Sequence, residues 1–184
     1  MRAIDLLLEE HRAFESILDA LEESIGRIRD GGPVPDLEVE ELLTQCRCFT
    51  AGRHHQIEES ILFPALGRHG LTPDLTPIAA LEAQHESGRA FLDEFEQAYR
   101  DAVDGVRAAR PRLHVLMREY VGMLRDHMWI ENHYFRSPAA NALTPAEDGQ
   151  LAAAILSPES QVERERLLER ADRCRWDHVS RSSW

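Results

Sequence analysis

The chain has 184 residues, 43% of them hydrophobic and 29% charged, with a net charge of −12. That length fits one domain with an appendage and is enough to bury a core, and the composition excludes a disordered chain. The acidic balance disfavours phosphate backbones, so nucleic acid is not an expected partner.

No apolar run approaches the ~20 residues of a membrane span, so no membrane partner is expected. Asp5 stands where a secretory leader needs apolar residues, which predicts a cytoplasmic protein. The cysteines are Cys46, Cys48 and Cys174. Their odd, low number argues against a disulfide scaffold, and they read as small, mostly buried apolar residues.

The first predicted helix runs from about Ala3 to Arg29. Leu7, His11, Phe14, Leu18, Leu21 and Ile25 recur at alternating spacings of four and three, the stripe of a bundle helix. His11 occupies a core position in that stripe. The segment from Asp30 to Pro35, with Gly31, Gly32 and Pro33, stops the helix.

A second helix is predicted from Asp36, an N-cap residue, to Leu66. Leu43, Thr50, His54, Glu58, Ile61 and Ala65 share one stripe. Pro64 is expected to kink or end it. A third helix starts near Pro77. Its stripe is Ile78, Leu81, His85, Gly88, Leu92, Phe95 and Tyr99. Gly88 inside a helix costs about 1 kcal/mol relative to Ala, which makes sense if something bulky needs space beside it.

A fourth helix follows Pro111, with the stripe Leu113, Met117, Tyr120, Leu124, His127, Glu131 and Tyr134. After Ser137-Pro138 the character changes. Thr144-Pro145-Ala146-Glu147 is a capping box opening a short helix. A densely charged helix follows Pro158, with a thin apolar edge at Val162, Leu167, Leu168 and Ala171. That edge serves either packing on the outside of the bundle or pairing with a second copy of the chain as a homodimer.

The predicted architecture is therefore all-α: an up-down-up-down four-helix bundle over 1–136, with a C-terminal helical extension over 137–184. Alternating helix direction brings early positions on the first and third helices level with late positions on the second and fourth. His11, His54, Glu58, His85, His127 and Glu131 then meet in one core layer. A single His and Glu one turn apart is usually a solvated pair. Four imidazoles and two carboxylates in a dry core must be paired or bound to metal, and such donors suit iron, manganese or zinc. The simplest arrangement gives two histidines to each of two metals, with Glu58 and Glu131 bridging. His55 with Glu59 is an alternative to His54 with Glu58, since a stripe can slip by one residue. Glu15, one turn after His11, reads as a surface carboxylate. His69, His114, His133 and His178 fall off the core stripes and are expected at the surface. Tyr120 and Met123 line either the pocket or ordinary core.

These residues resemble the hemerythrin-like HHE cation-binding family over roughly residues 3 to 136. The resemblance is carried by His11 after Leu8-Glu9-Glu10, by the run from His54 to Pro64, by Gln84-His85-Glu86, and by Asp126-His127-Met128-Trp129-Ile130-Glu131. It implies two non-haem iron ions, oxo- or hydroxo-bridged, held by His11, His54, Glu58, His85, His127 and Glu131. Oxygen-carrying members have a second histidine one turn after the one on the third helix, where this chain has Arg89. They also carry an aspartate five residues after the last histidine, where this chain has Glu131 at four. The resemblance thus points to the broader bacterial group that senses or handles O2, NO, peroxide or iron. The expected function is binding or sensing of a small diatomic ligand or peroxide. The alternatives are an enzyme acting on peroxide or a small oxidisable substrate, and an iron-storage protein.

Overall fold

The computed structural model describes residues 2–34 and 37–181. The N-cap expected at Asp36 lies outside them, as does the His178 side chain. Every regular element among the described residues is helical: α1 (Arg2–Arg29), α2 (Leu37–Thr50), α3 (Arg53–Ile57), a π-helical turn (Glu58–Leu62), α4 (Phe63–Arg68), α5 (Ile78–Val103), α6 (Ala109–Tyr134), a second π-helical turn (Phe135–Ala139), α7 (Ala140–Ala142), α8 (Pro145–Ile155) and α9 (Pro158–Arg181).

Helix α1 packs on α2 and α6, and α5 packs on the same two. This closes the ring of an antiparallel four-helix bundle with short links. The apolar stripes read from the sequence are buried in it: Leu7, Phe14, Leu18, Leu21 and Ile25 on α1, Leu81, Leu92 and Phe95 on α5, and Leu113, Tyr120 and Leu124 on α6.

The interior is not one continuous apolar mass. One cluster runs from Ala13 and Phe14 past Phe49, Phe95 and Tyr120 to Met128. The other gathers Ile4, Leu7, Leu8, Ile57, Leu62, Phe63, Leu81 and Phe135. Between them on each bundle helix sit the histidines and carboxylates. A polar layer is sandwiched between two greasy ones, and each greasy layer shields it from water.

The second arm departs from the expected continuous helix. It breaks at Ala51 and Gly52 and restarts as α3. Gly52 is extended, with φ −96° and ψ −151°, and a Cβ there would sit 1.9 Å from the Cys48 carbonyl oxygen. Only glycine lets the chain pass so close. Pro64 does not end this arm, which stays helical to Arg68. It falls in the first turn of α4, directly after the π-helical turn, so its missing N–H coincides with that irregularity in the helical ladder.

The residues after the bundle fold back onto it. Helix α8 packs on α1 and α3, and α9 packs along α1. Leu167, Ala171 and Cys174 of α9 join the core cluster and Leu168 packs against it, so most of the predicted edge faces this chain's own bundle, while Val162 is exposed. Thr144 and Glu147 form the expected capping box at the start of α8. Thr144→Ala is expected to destabilise the protein by about 1 kcal/mol, read as a lower thermal midpoint with unchanged helix content.

Candidate metal centre

In a helix each residue advances by about 100°. His55 therefore lies about 100° from His54, with Glu58 between them at about 40°. An inward-facing Glu58 can thus have one imidazole on each side, His54 toward α1 and His55 toward α5 and α6. The structure has this arrangement. His11, His54, His55, Glu58, His85, His127 and Glu131 are all buried, and none is more than 4% exposed.

His54 and His55 are therefore not alternatives, because both turn inward. The buried donors also do not divide into two histidines on each side of the carboxylates. His55, His85 and His127 group with Glu58, while His11 and His54 group with Glu58 and Glu131. Glu58 belongs to both groups. Its Oε1 lies 3.3 Å from His54 Nε2 and its Oε2 lies 3.5 Å from His85 Nε2. Glu131 spans the site in the same way, with Oε2 3.1 Å from His127 Nε2 and 3.4 Å from His11 Nε2, and Oε1 3.8 Å from His85 Nε2.

Every imidazole is oriented by an outward hydrogen bond from Nδ1. His11 donates to Asn132 Oδ1 (3.0 Å), His54 to Glu10 Oε2 (2.7 Å) and His55 to the Thr50 carbonyl (2.9 Å). His85 donates to Glu59 Oε1 (2.8 Å) and His127 to Gln84 Oε1 (3.0 Å). These bonds set the tautomer and aim all five Nε2 lone pairs inward, as partners of metal-ligating histidines do. The Nε2 atoms of His11 and His54 lie 2.9 Å apart, and those of His85 and His127 lie 3.2 Å apart.

The centre thus presents acceptors to acceptors. His55 Nε2 and all four carboxylate oxygens of Glu58 and Glu131 are buried with no hydrogen-bond partner among the described residues. Protonation offsets part of that cost. Burial pulls His54 down, but Glu58 and Glu10 outweigh it and raise its pKa to about 10. Burial is likewise outweighed at His85, which is raised by Glu131, Glu58 and Glu59. Burial pushes His55 well below the usual range, helped by His85, His54 and His127. His11 is lowered by burial and by His54. Burial alone would raise Glu131, yet His127, His85 and His11 hold it well below the usual carboxylate range. Two buried carboxylates facing five imidazole nitrogens need balancing positive charge, supplied either by protons on the imidazoles or by a bound cation. The residues therefore fit a pair of metal ions, on the strength of their orphaned donor atoms and of their chemistry.

The remaining residues singled out in the sequence lie elsewhere. Glu59 is half-buried, and besides His85 it accepts from Arg89 Nη1 (2.9 Å). Glu15 pairs with Arg125 across the α1–α6 contact (3.3 Å). His69 and His133 are exposed and His114 is half-buried. Tyr120 is buried, with its hydroxyl 2.7 Å from Thr50 Oγ1. A Cβ on Gly88 would meet Thr50 at 3.2 Å and Met123 at 3.3 Å, so the bulk beside that glycine is protein side chain. Sequence reading missed the partners of the imidazoles altogether. Glu10 is among the buried charged residues, but in the sequence it is one acid in an acid-rich turn.

A four-helix bundle with this donor layer defines a class of cation-binding protein. The family model described as the Hemerythrin HHE cation binding domain matches residues 2–137, and the chain belongs to that family. Comparison with curated proteins and with solved structures returns no match. Among the described residues no helix is long and apolar enough to cross a membrane.

Proposed function

We propose that this protein holds two non-haem iron ions and uses them to bind or sense a small ligand, O2, NO or peroxide. In this reading His55, His85 and His127 would hold one ion, His11 and His54 would hold the other, and Glu58 and Glu131 would be available to both. The observation that carries the reading is the convergence of five oriented Nε2 lone pairs and two unpartnered carboxylates in one dry layer. Imidazole and carboxylate donors suit iron. The three-to-two division of histidines leaves the His11–His54 ion with fewer protein donors and so with room for a small ligand.

When bound, such an iron pair supplies reversible electron transfer and an open coordination position. The protein's part is different. The Nδ1 bonds to Asn132, Glu10, Thr50, Glu59 and Gln84 keep the imidazoles aimed before any ion arrives. The flanking apolar layers exclude water, which keeps the carboxylates available to the ions. Binding and sensing are favoured over catalysis because the buried titratable groups of this layer are either donors or, like Glu10, hydrogen-bonded to one. No additional acid or base among the described residues is positioned as a substrate-directed general catalyst within it.

The test is metal analysis after aerobic purification with iron supplied, followed by optical spectra with and without azide, NO and peroxide. About two irons per chain and charge-transfer bands that respond to NO or azide are expected. No iron after supplementation would sink the reading, and sustained gas evolution from peroxide would move it to an enzyme. His127→Ala should lose iron. His133→Ala should not, since that ring is exposed, lies tilted against Trp129 and is bonded to the Trp129 carbonyl.

A further inference from the structure

Helix α9 lies beyond the residues matched by the family model, yet one of its side chains reaches the imidazole layer at one remove. Arg164 is 14% exposed and pairs with both acids of the Glu9-Glu10 turn of α1. Its Nη2 contacts Glu9, and its Nε lies 3.2 Å from Glu10 Oε1, an ion pair without hydrogen-bond geometry. The other oxygen of Glu10 accepts the Nδ1 proton of His54 at 2.7 Å. Arg164, Glu10 and His54 thus form a line from α9 to the centre. All three border a small cavity of about 30 Å³ between α9 and the bundle. α9 is also held beside His54 through its neighbour Arg53, which donates from Nε to Ser160 Oγ (2.8 Å) and from its backbone N–H to Glu163 (3.3 Å).

The comparable line on the other side of the centre is wetter. Glu59, which holds His85, pairs with Arg89, and these two are 33% and 39% exposed. Water screens a charge placed there. The Arg164–Glu10 pair is 14% and 9% exposed, so its charges act on the centre with far less screening.

We propose that Arg164 is a positioning residue for the metal centre, setting through Glu10 how strongly His54 donates to its ion. The inference rests on the iron-binding reading above. A carboxylate drawing on Nδ1–H makes Nε2 more electron-rich and favours the more highly charged metal state. The guanidinium opposes this by holding part of the carboxylate's charge. Removing the cation and removing the anion must therefore move the redox balance in opposite directions.

The experiment is a redox titration of the full iron-loaded chain, followed by its optical spectrum, for wild type, Arg164→Gln, Arg164→Lys and Glu10→Gln. Arg164→Gln should raise the ratio of oxidised to reduced centre at a fixed ambient potential by about tenfold, the size of one charge acting through a partly dry interior. Glu10→Gln should lower that ratio, and Arg164→Lys should restore it to near the wild-type value. If Arg164→Gln does not fold, the Glu10→Gln and Arg164→Lys results carry the test. An unchanged ratio in Arg164→Gln or in Glu10→Gln overturns the proposal, and so do shifts of both in one direction. A merely structural arginine predicts loss of iron in Arg164→Gln with no directional shift. A wild-type chain that takes up no iron overturns the underlying reading and this inference with it.

Discussion

Glu58→Gln is expected to strip most of the iron from the protein while leaving the bundle folded. Glu58 is fully buried and is the one residue in both groups of donors. The amide keeps the volume and shape of the carboxylate but not its charge, so it cannot balance two cations. Outer partners of metal ligands typically contribute 10- to 100-fold in affinity. A shared ligand should exceed that, so the loss of affinity should be more than about 100-fold. Glu59→Gln, which weakens the acceptor of His85 and the exposed Arg89 pair but touches no shared donor, should fall within the 10- to 100-fold range and still load iron at saturating supply. Metal content per chain and the charge-transfer spectrum read both variants. Equal iron in Glu58→Gln and wild type would remove Glu58 from the centre and with it the bridged arrangement.

The second large effect is expected at Gly52, which touches no metal-site atom. A methyl group there would overlap the Cys48 carbonyl oxygen, at 1.9 Å. Backbone cannot rotate out of the way as a side chain can, so the break between α2 and α3 must open. Overpacking typically costs 1–3 kcal/mol, and Gly52→Ala should sit at the upper end, near about 3 kcal/mol. For a chain of this size that is a drop of roughly 6–12 °C in the thermal midpoint. Iron content should fall as well, because His54 and His55 begin the helix that the break aims. Gly122→Ala is the control. Gly122 is exposed within α6, and nothing lies within 4 Å of its Cβ position. It should gain about 0.5–1 kcal/mol from helix propensity alone. A Gly52→Ala protein with wild-type stability and iron content would show that the break does not aim the two histidines.

The four bundle helices were legible because each one has to bury a stripe, and a stripe is periodic. His11, His85, His127 and Glu131 stood out as polar residues at positions where the period demands apolar ones. His54 and Glu58 were visible for the same reason. His55 was legible only as an alternative to His54, because a single stripe along an unbroken helix has room for one of two neighbours. The break at Gly52 removes that constraint. It gives the second arm a new start, and both imidazoles then fall inside. The pair Ala51-Gly52, one residue ahead of His54-His55, was the available signal, but glycine in a helical pattern has too many other causes to be decisive.

Glu10, Asn132, Gln84 and Glu59 could not be found from periodicity. Each is a polar residue on a helix that has many, and its role comes from the imidazole opposite it on another helix. The extension behaved in the same way. Its charged composition and thin apolar edge were plain, but whether that edge met this bundle or another copy was not. In the fold Leu167, Ala171 and Cys174 join the bundle's own core, and Arg164 meets Glu10.

By itself the sequence determined that four amphipathic helices carry polar donors at core positions, because the hydrophobic period is a local property of a single helix. Only the tertiary structure decided that five histidines converge, that Glu58 is shared and that α9 reaches His54 through Glu10. Those relations are distances between helices far apart in the chain, and packing alone sets them.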